Sequence, residues 1–183
     1  MENTTAPAFP SFTVPAGTPV GTAMRELDLP NKGPDAIVVV KDAEGNLRDL
    51  SHTPEVDAEF TPVPASSEEG RGVIRHSCAH VLAQAVQAEF PGTKLGIGPA
   101  IDNGFYYDFS YERPFTTEDL EKIEAKMHEL AKLDEPVVRR VLPRDEAVAY
   151  FKGLGEHYKA EIIEKSINGV VRVSEAYWAP RGS

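Results

Sequence analysis

The chain has 183 residues, a hydrophobic share of 41% and a formal net charge of -10, which suits one or two compact domains with a buried core. Its single cysteine excludes an internal disulfide framework and a CxxC metal cluster, and no apolar run approaches the roughly 18 residues of a membrane-spanning helix. Phosphate contacts need cations, so a chain this acidic does not grip nucleic acid over its whole surface, and any RNA contact is expected to be local.

Residues 1–10 are polar and proline-containing, with neither the basic start nor the apolar stretch of a secretion signal. A soluble cytoplasmic protein with a mobile N-terminus is the expectation. Ser11-Phe12-Thr13-Val14 alternates like a short strand, and Pro15 to Pro19 forms a turn. Val20, Met24 and Leu27 recur at helical spacing before Pro30 ends the helix. Ala36 to Val40 is a β-branched run that Leu47 to Leu50 pairs with across the turn at 42–46, and Glu59 to Val63 supplies a last strand. Strand, helix, hairpin and strand in about 50 residues predict a small α+β domain of the β-grasp kind.

Pro64 to Gly70 reads as a linker. A long helix follows, roughly Gly72 to Phe90, closed by Pro91-Gly92. Strands over Leu95–Ile101 and Phe105–Phe109 flank Asp102-Asn103-Gly104, where Asn-Gly predicts a type I′ hairpin turn. Thr116 caps the next helix with Asp119 at the capping-box position, and Leu120, Ile123, Met127 and Leu130 form its apolar stripe. A strand near Val137–Leu142, a helix near Arg144–Gly153 and a strand near Lys159–Ile163 complete the pattern.

Arg75-His76-Ser77-Cys78-Ala79-His80 is the sharpest local feature. At about 100° per residue His80 lies about 40° from His76, so both project from one side of the long helix. Ile74, Cys78, Val81 and Ala85 fall roughly opposite, between about 140° and 200°, and read as the core stripe, with Ala83 and Gln87 filling out the histidine side. Three chemistries stay open for the pair. As metal ligands they would need a third and fourth group, and no second Cys/His cluster exists in the sequence. As a base and its orienting partner they could activate water for ester hydrolysis, since imidazole titrates near neutrality. As donors they could clasp a ribose or phosphate, and two plain surface histidines remain the bland alternative. Cys78 reads as a small apolar residue of the stripe rather than a nucleophile. Tyr106 and Tyr107 alternate faces, so one packs inward while the other meets a groove or solvent. Arg139, Arg140 and Arg144, with Lys122, Lys126 and Lys132 nearby, are the best basic patch, read most simply as a solvated face.

The run Ile74 to Ala85, the block Lys94-Leu-Gly-Ile-Gly-Pro-Ala-Ile-Asp-Asn-Gly-Phe-Tyr-Tyr-Asp108 and the segment Gly155-Glu-His-Tyr-Lys159-Ala-Glu-Ile-Ile163 together resemble the proofreading domain of bacterial threonyl-tRNA synthetases. Residues 12–63 resemble that family's N-terminal TGS module, a β-grasp fold, with Met1 to Pro10 in place of its usual first strand. The resemblance implies a TGS-like domain over 1–66, a partial editing domain over 67–163 with the histidine helix packed on an antiparallel sheet, and a divergent tail over 164–183. It implies hydrolysis of the ester in seryl-tRNA wrongly made on threonine tRNA, because one methyl gives only about 1–3 kcal/mol of discrimination. His76, His80 and Lys159 would be the catalytic groups and Tyr107 a substrate contact, with no metal in this chain.

After Lys159 the family continues with an Asp-x-Cys-x-x-x-x-His block, whereas this sequence runs on to Ala176-Tyr177-Trp178, which resembles a later family segment. The expectation is therefore an N-terminal fragment, arising by truncation, excision or engineering, with impaired or no editing. Its missing strands predict a poorly cooperative thermal transition for residues 70–183. ATP, Mg²⁺ and zinc, and the family's homodimer, belong by implication to the parent's aminoacylation part. The implied partner is the acceptor end of tRNA(Thr), bound weakly. A non-enzymatic tRNA- or protein-binding module, or a freestanding trans-editing hydrolase, are the alternatives.

Overall fold

The computed structural model describes residues 7–135, 137–166 and 170–176. Their contacts divide the chain into two compact units, one of Met1–Cys78 with Ala100–Phe105 and one of Ala79–Pro99 with Tyr106–Ser183.

In the first unit, β1 (Phe12–Val14), β2 (Ile37–Lys41), β3 (Leu47–Arg48) and β4 (Ala58–Pro64) form an antiparallel sheet in the order β1-β4-β2-β3. The helix α1 (Val20–Glu26) lies between β1 and β2 in the chain. Each element turns its apolar side inward: Val14, Val20, Ala23, Met24, Ile37, Val40 and Phe60 make one buried cluster. Phe9 also packs against it, so part of the segment expected to be mobile is held; residues 1–6 lie outside the described residues.

The helix α2 (Glu68–Glu89) begins earlier than its sequence suggests. Ser67 Oγ accepts from Gly70 N at 3.0 Å while donating to the Pro64 carbonyl at 2.7 Å, which makes Ser67 the N-cap. Glu68 and Glu69 occupy the first turn, where negative charge meets the positive end of the helix. The expected linker is thus reduced to three residues between β4 and α2. Cys78 is half-buried. The strands β6 (Ala100–Ile101) and β7 (Gly104–Phe105) pair as a hairpin with Ile101 opposite Gly104. The two loop residues are therefore Asp102-Asn103, and Asn103 is not among the residues at positive φ, so the expected type I′ turn centred on Asn-Gly is not the one formed. Gly104 instead takes φ 154° at the first paired position after the loop.

The second unit pairs β5 (Lys94–Leu95) with β8 (Phe109–Ser110), and the helix α3 (Thr117–Leu133) follows. Its core joins Ala85, Val86 and Phe90 to Ile123, with Leu82, Phe109, Tyr111, Phe115, Met127 and Leu130 around them. The C-terminal half of α2 is thus covered by α3 and by aromatics at and after β8. The α3 N-terminus is the capping box that the sequence predicts: Asp119 N donates to Thr116 Oγ1 at 3.3 Å and Thr116 N to Asp119 Oδ2 at 2.9 Å. One expected stripe residue departs. Leu120 is 58% exposed, and the buried position in that turn goes to Asp119, whose carboxylate also accepts from Arg113 Nη1 and, at 3.1 Å, from Arg113 Nη2.

Next, β9 (Val137–Pro143) pairs along its whole length with β10 (Val170–Ala176), which brings part of the expected tail into a sheet; residues 177–183 lie outside the described residues. Between them come α4 (Arg144–Gly153) and α5 (His157–Lys165). Gly155, at φ 75°, makes the turn: its N–H reaches the Lys152 carbonyl at 3.1 Å and the Glu156 N–H reaches the Phe151 carbonyl at 2.9 Å, the paired bonds of a Schellman motif. The strand expected over Lys159–Ile163 is therefore a helix. Ile162 and Ile163 favour a strand locally, but Ala160, Glu161, Glu164 and Lys165 are good helix formers, Lys165 pairs with Glu161 at 2.6 Å, and Ala160 and Ile163 bury one side.

Candidate functional site

Helix periodicity brings His76 and His80 to one side of α2, and both are exposed. Of the expected stripe, Ala85 is buried and Cys78 half-buried while Ile74 is exposed; Ala79, Ala83 and Val86 are buried as well, with Phe90 just past the helix end. Counted from His76, most of these fall between about 280° and 340°, beside the histidines rather than opposite them. The reason is composition: small alanines permit close approach on that flank, while Ile74 stays exposed despite its apolar side chain. Gln87 lies at about 20°, between the two histidine azimuths and two turns beyond His80.

At Gln87 the second unit gathers its polar groups. Gln87 Nε2 donates to Glu156 Oε1 at 3.0 Å. Glu156 Oε2 pairs with Lys159 Nζ at 3.4 Å, and that ammonium also lies 5.8 Å from the Phe151 ring centroid. Tyr107 stands close enough for burial first, and the Glu156 carboxylate second, to hold its phenol above the usual tyrosine range. A neutral phenol there is a hydrogen-bond donor at physiological pH. The ring is fixed by stacking on Phe109, at 4.8 Å between centroids and 14° between planes, and by its close approach to Gly98. Tyr106 points to solvent, as the alternation of faces predicts.

A cleft of about 430 Å³ opens beside these groups, lined by Gln87, Lys94, Leu95, Glu156, His157 and Tyr158 among others. Tyr107 and Lys159, expected as pocket contacts, reach this cleft only through Glu156 and are not among its lining residues, nor are His76 and His80; Glu156, which the sequence reading did not single out, is. The signal was the spacing of Glu156 and Lys159, three residues apart. On a helix start such a pair shares one side, and the expected strand, which began only at Lys159, left Glu156 outside the element and the partnership unread. Among the described residues, no three His, Cys, Asp or Glu side chains form a group that could hold a metal ion.

The expected basic patch is engaged with other groups. Lys126 pairs with Glu129 at 2.7 Å and Glu89 at 3.5 Å, Arg144 with Asp145 at 3.5 Å, and the Arg140 guanidinium lies 5.9 Å from the Tyr150 ring centroid. The Arg139 side chain lies outside what the structure describes. No described helix is long and apolar enough to cross a membrane.

The structure is a mixed helix-and-sheet protein in which Gln87 and Glu156 line one cleft, with Lys159 paired to Glu156. Among curated proteins the chain is similar to the threonine--tRNA ligase of Corynebacterium glutamicum, 64% identical over 157 residues, covering 86% of this chain and 22% of that protein. The threonine--tRNA ligase of Mycolicibacterium smegmatis is 59% identical over 160 residues, or 87% of this chain and 23% of that protein. That of Rhodococcus jostii is 53% identical over 164 residues. The chain thus spans about a fifth to a quarter of the length of these relatives. No family model matches it.

Proposed function

We propose that this chain corresponds to the proofreading region of a threonine--tRNA ligase, receiving the acceptor end of tRNA(Thr) and the seryl ester wrongly attached to it. The observation that carries this reading is the meeting of Tyr107 with the Glu156–Lys159 pair, about fifty positions away in sequence, with Glu156 itself lining the cleft beside them. The 59–64% identity to two threonine--tRNA ligases agrees with it. On this reading residues 1–66 are a TGS-like domain and 67–163 belong to the editing domain.

Ester hydrolysis needs a base for water and a cation for the oxyanion that forms at the carbonyl. Lys159 supplies the cation, the phenol of Tyr107 donates to the substrate, and the imidazoles of His76 and His80 serve the water or the terminal ribose. With a net charge of -10, affinity for tRNA is low and rests on these local contacts. Turnover by this chain alone is slow or nil.

Seryl-tRNA(Thr) provides the test, with binding and deacylation followed together. The expected result is binding that Lys159→Ala weakens by about tenfold, the loss of one charge-assisted contact. Turnover abolished by His76→Ala would mark a working hydrolase of the same specificity. A chain that binds seryl-tRNA(Thr) no better than uncharged, unrelated tRNA overturns the reading, and unchanged binding by Lys159→Ala leaves only a general tRNA- or partner-binding module.

A further inference from the structure

Glu156 occupies the N-cap of α5, the place where a side-chain oxygen ordinarily accepts from the helix's own free N–H groups. Here it makes no side-chain cap bond. Its two oxygens serve separate partners instead: Oε1 takes Gln87 from α2 and Oε2 takes Lys159 from the first turn of α5. Local helix economy is given up for a tie between two elements, and such departures concentrate at functional positions. The backbone under Glu156 is set by the Schellman turn at Gly155, so the carboxylate sits on a fixed pivot.

We infer that Glu156 is a positioning residue for the ester site, linking the histidine-bearing side of α2 to α5 and holding the Lys159 ammonium where the substrate carbonyl arrives. This rests on the proofreading reading. Lysine carries a long stem with many rotamers, and freezing it before substrate arrives removes an ordering cost from binding. A carboxylate suits the task because its oxygens accept from two donors in different directions. Glutamine at the same place would keep the bond from Gln87 through its carbonyl oxygen but turn an amide N–H₂ toward the ammonium.

The test uses the 183-residue chain, a non-hydrolysable seryl-adenosine analogue with an amide in place of the ester, and ¹³Cζ-tyrosine labelling to follow the Tyr107 phenol, assigned with Tyr107→Phe. In Glu156→Gln, the expected results are a Tyr107 titration midpoint lower than in the parent, affinity for the analogue weakened about tenfold, and a melting temperature close to that of the parent. Gln87→Met, nearly isosteric and without the amide, loosens the same tie and shows the affinity loss in smaller measure, which keeps the proposal testable should Glu156→Gln fold poorly. If either the Tyr107 midpoint or the affinity stays at the parent value in Glu156→Gln, Glu156 does not position the site. If the parent chain ignores the analogue while the Tyr107 midpoint still moves with Glu156→Gln, the proofreading reading falls and the arrangement of carboxylate and phenol stands.

Discussion

Gly98 shows how little room the Tyr107 ring has. A Cβ built there would lie 2.1 Å from Tyr107 Cδ2 and 2.4 Å from Cε2, so no side chain fits without moving the ring. Those are atoms in the body of the ring, itself stacked on Phe109, and they cannot swing aside as the tip of a lysine would. Gly98→Ala is expected to lower stability by about 1–3 kcal/mol, the usual cost of overpacking, and to shift the ring resonances of both Tyr107 and Phe109. Ring resonances unchanged from the parent would show that the close approach is not there. The glycine was visible in the sequence, but its reason was not: Leu95–Ile101 reads as a strand, and nothing in that reading explains Gly98 until Tyr107 is found against it. The same holds for Glu156, which sequence alone offers as one acidic residue among many. That His76 and His80 share one side of α2, by contrast, was legible from four-residue spacing alone.

The helix α3 carries its own acid sensitivity. Hydrogen bonds from Arg113 and then from the Thr116 N–H hold the Asp119 carboxyl well below the usual carboxylate range. A depressed folded-state value means that the ionised group stabilises the fold in full above the unfolded value of about 4. That contribution is lost as pH falls below about 4 toward the lowered folded value. Arg113 also covers the Phe90 and Tyr111 rings at 6.0 and 5.9 Å, so protonating Asp119 loosens the aromatic cluster as well as the helix start. Near-UV circular dichroism during acid titration should show this loss, and Asp119→Asn should start from lower stability at neutral pH and lose less on acidification. An acid profile identical to the parent's would refute the assignment. This element was read correctly from Thr116, Asp119 and the apolar spacing, because capping chemistry is local. Three others were not, each for a physical reason. The α5 segment has two adjacent isoleucines whose β preference is overridden by helix formers and by burial of Ala160 and Ile163. Asn103-Gly104 was read as a turn centre, but register puts Gly104 in the pair after the loop. On α2 the expected stripe of Ile74, Cys78, Val81 and Ala85 holds at Ala85, while Ile74 is exposed and packing adds the flank of Ala79, Ala83 and Val86.

The two hydrophobic clusters give the chain two separately testable cores. Phe60, 2% exposed, anchors the first beside Val14 and Val40, and Ile123 anchors the second beside Val86 and Phe90. Phe60→Ala is expected to cost about 3–5 kcal/mol and Ile123→Ala about 2–5 kcal/mol, from lost burial plus the cavity left behind. Amide exchange should rise in β1, β2 and β4 for the first variant and in the α3 region for the second. Exchange rising equally everywhere in both variants would show a single cooperative core instead. The order of elements in the first unit was legible because each strand and α1 is bounded by proline, glycine or a polar turn. The second unit was less so, since its strands are two residues long at β5 and β8 and its cover comes from a helix and from rings after β8. Strands that short leave almost no alternation to read.

The chain's lone thiol has a practical use. Cys78 sits on α2 between the two histidines in sequence, yet about 160° around the helix from each or nearly so. A maleimide dye or nitroxide attached there needs no engineered cysteine and leaves the imidazole side uncovered. Such a reporter would register a ligand's arrival on the histidine side as a change in fluorescence or spin mobility, and so offers a direct readout for the proposed binding of an aminoacylated adenosine.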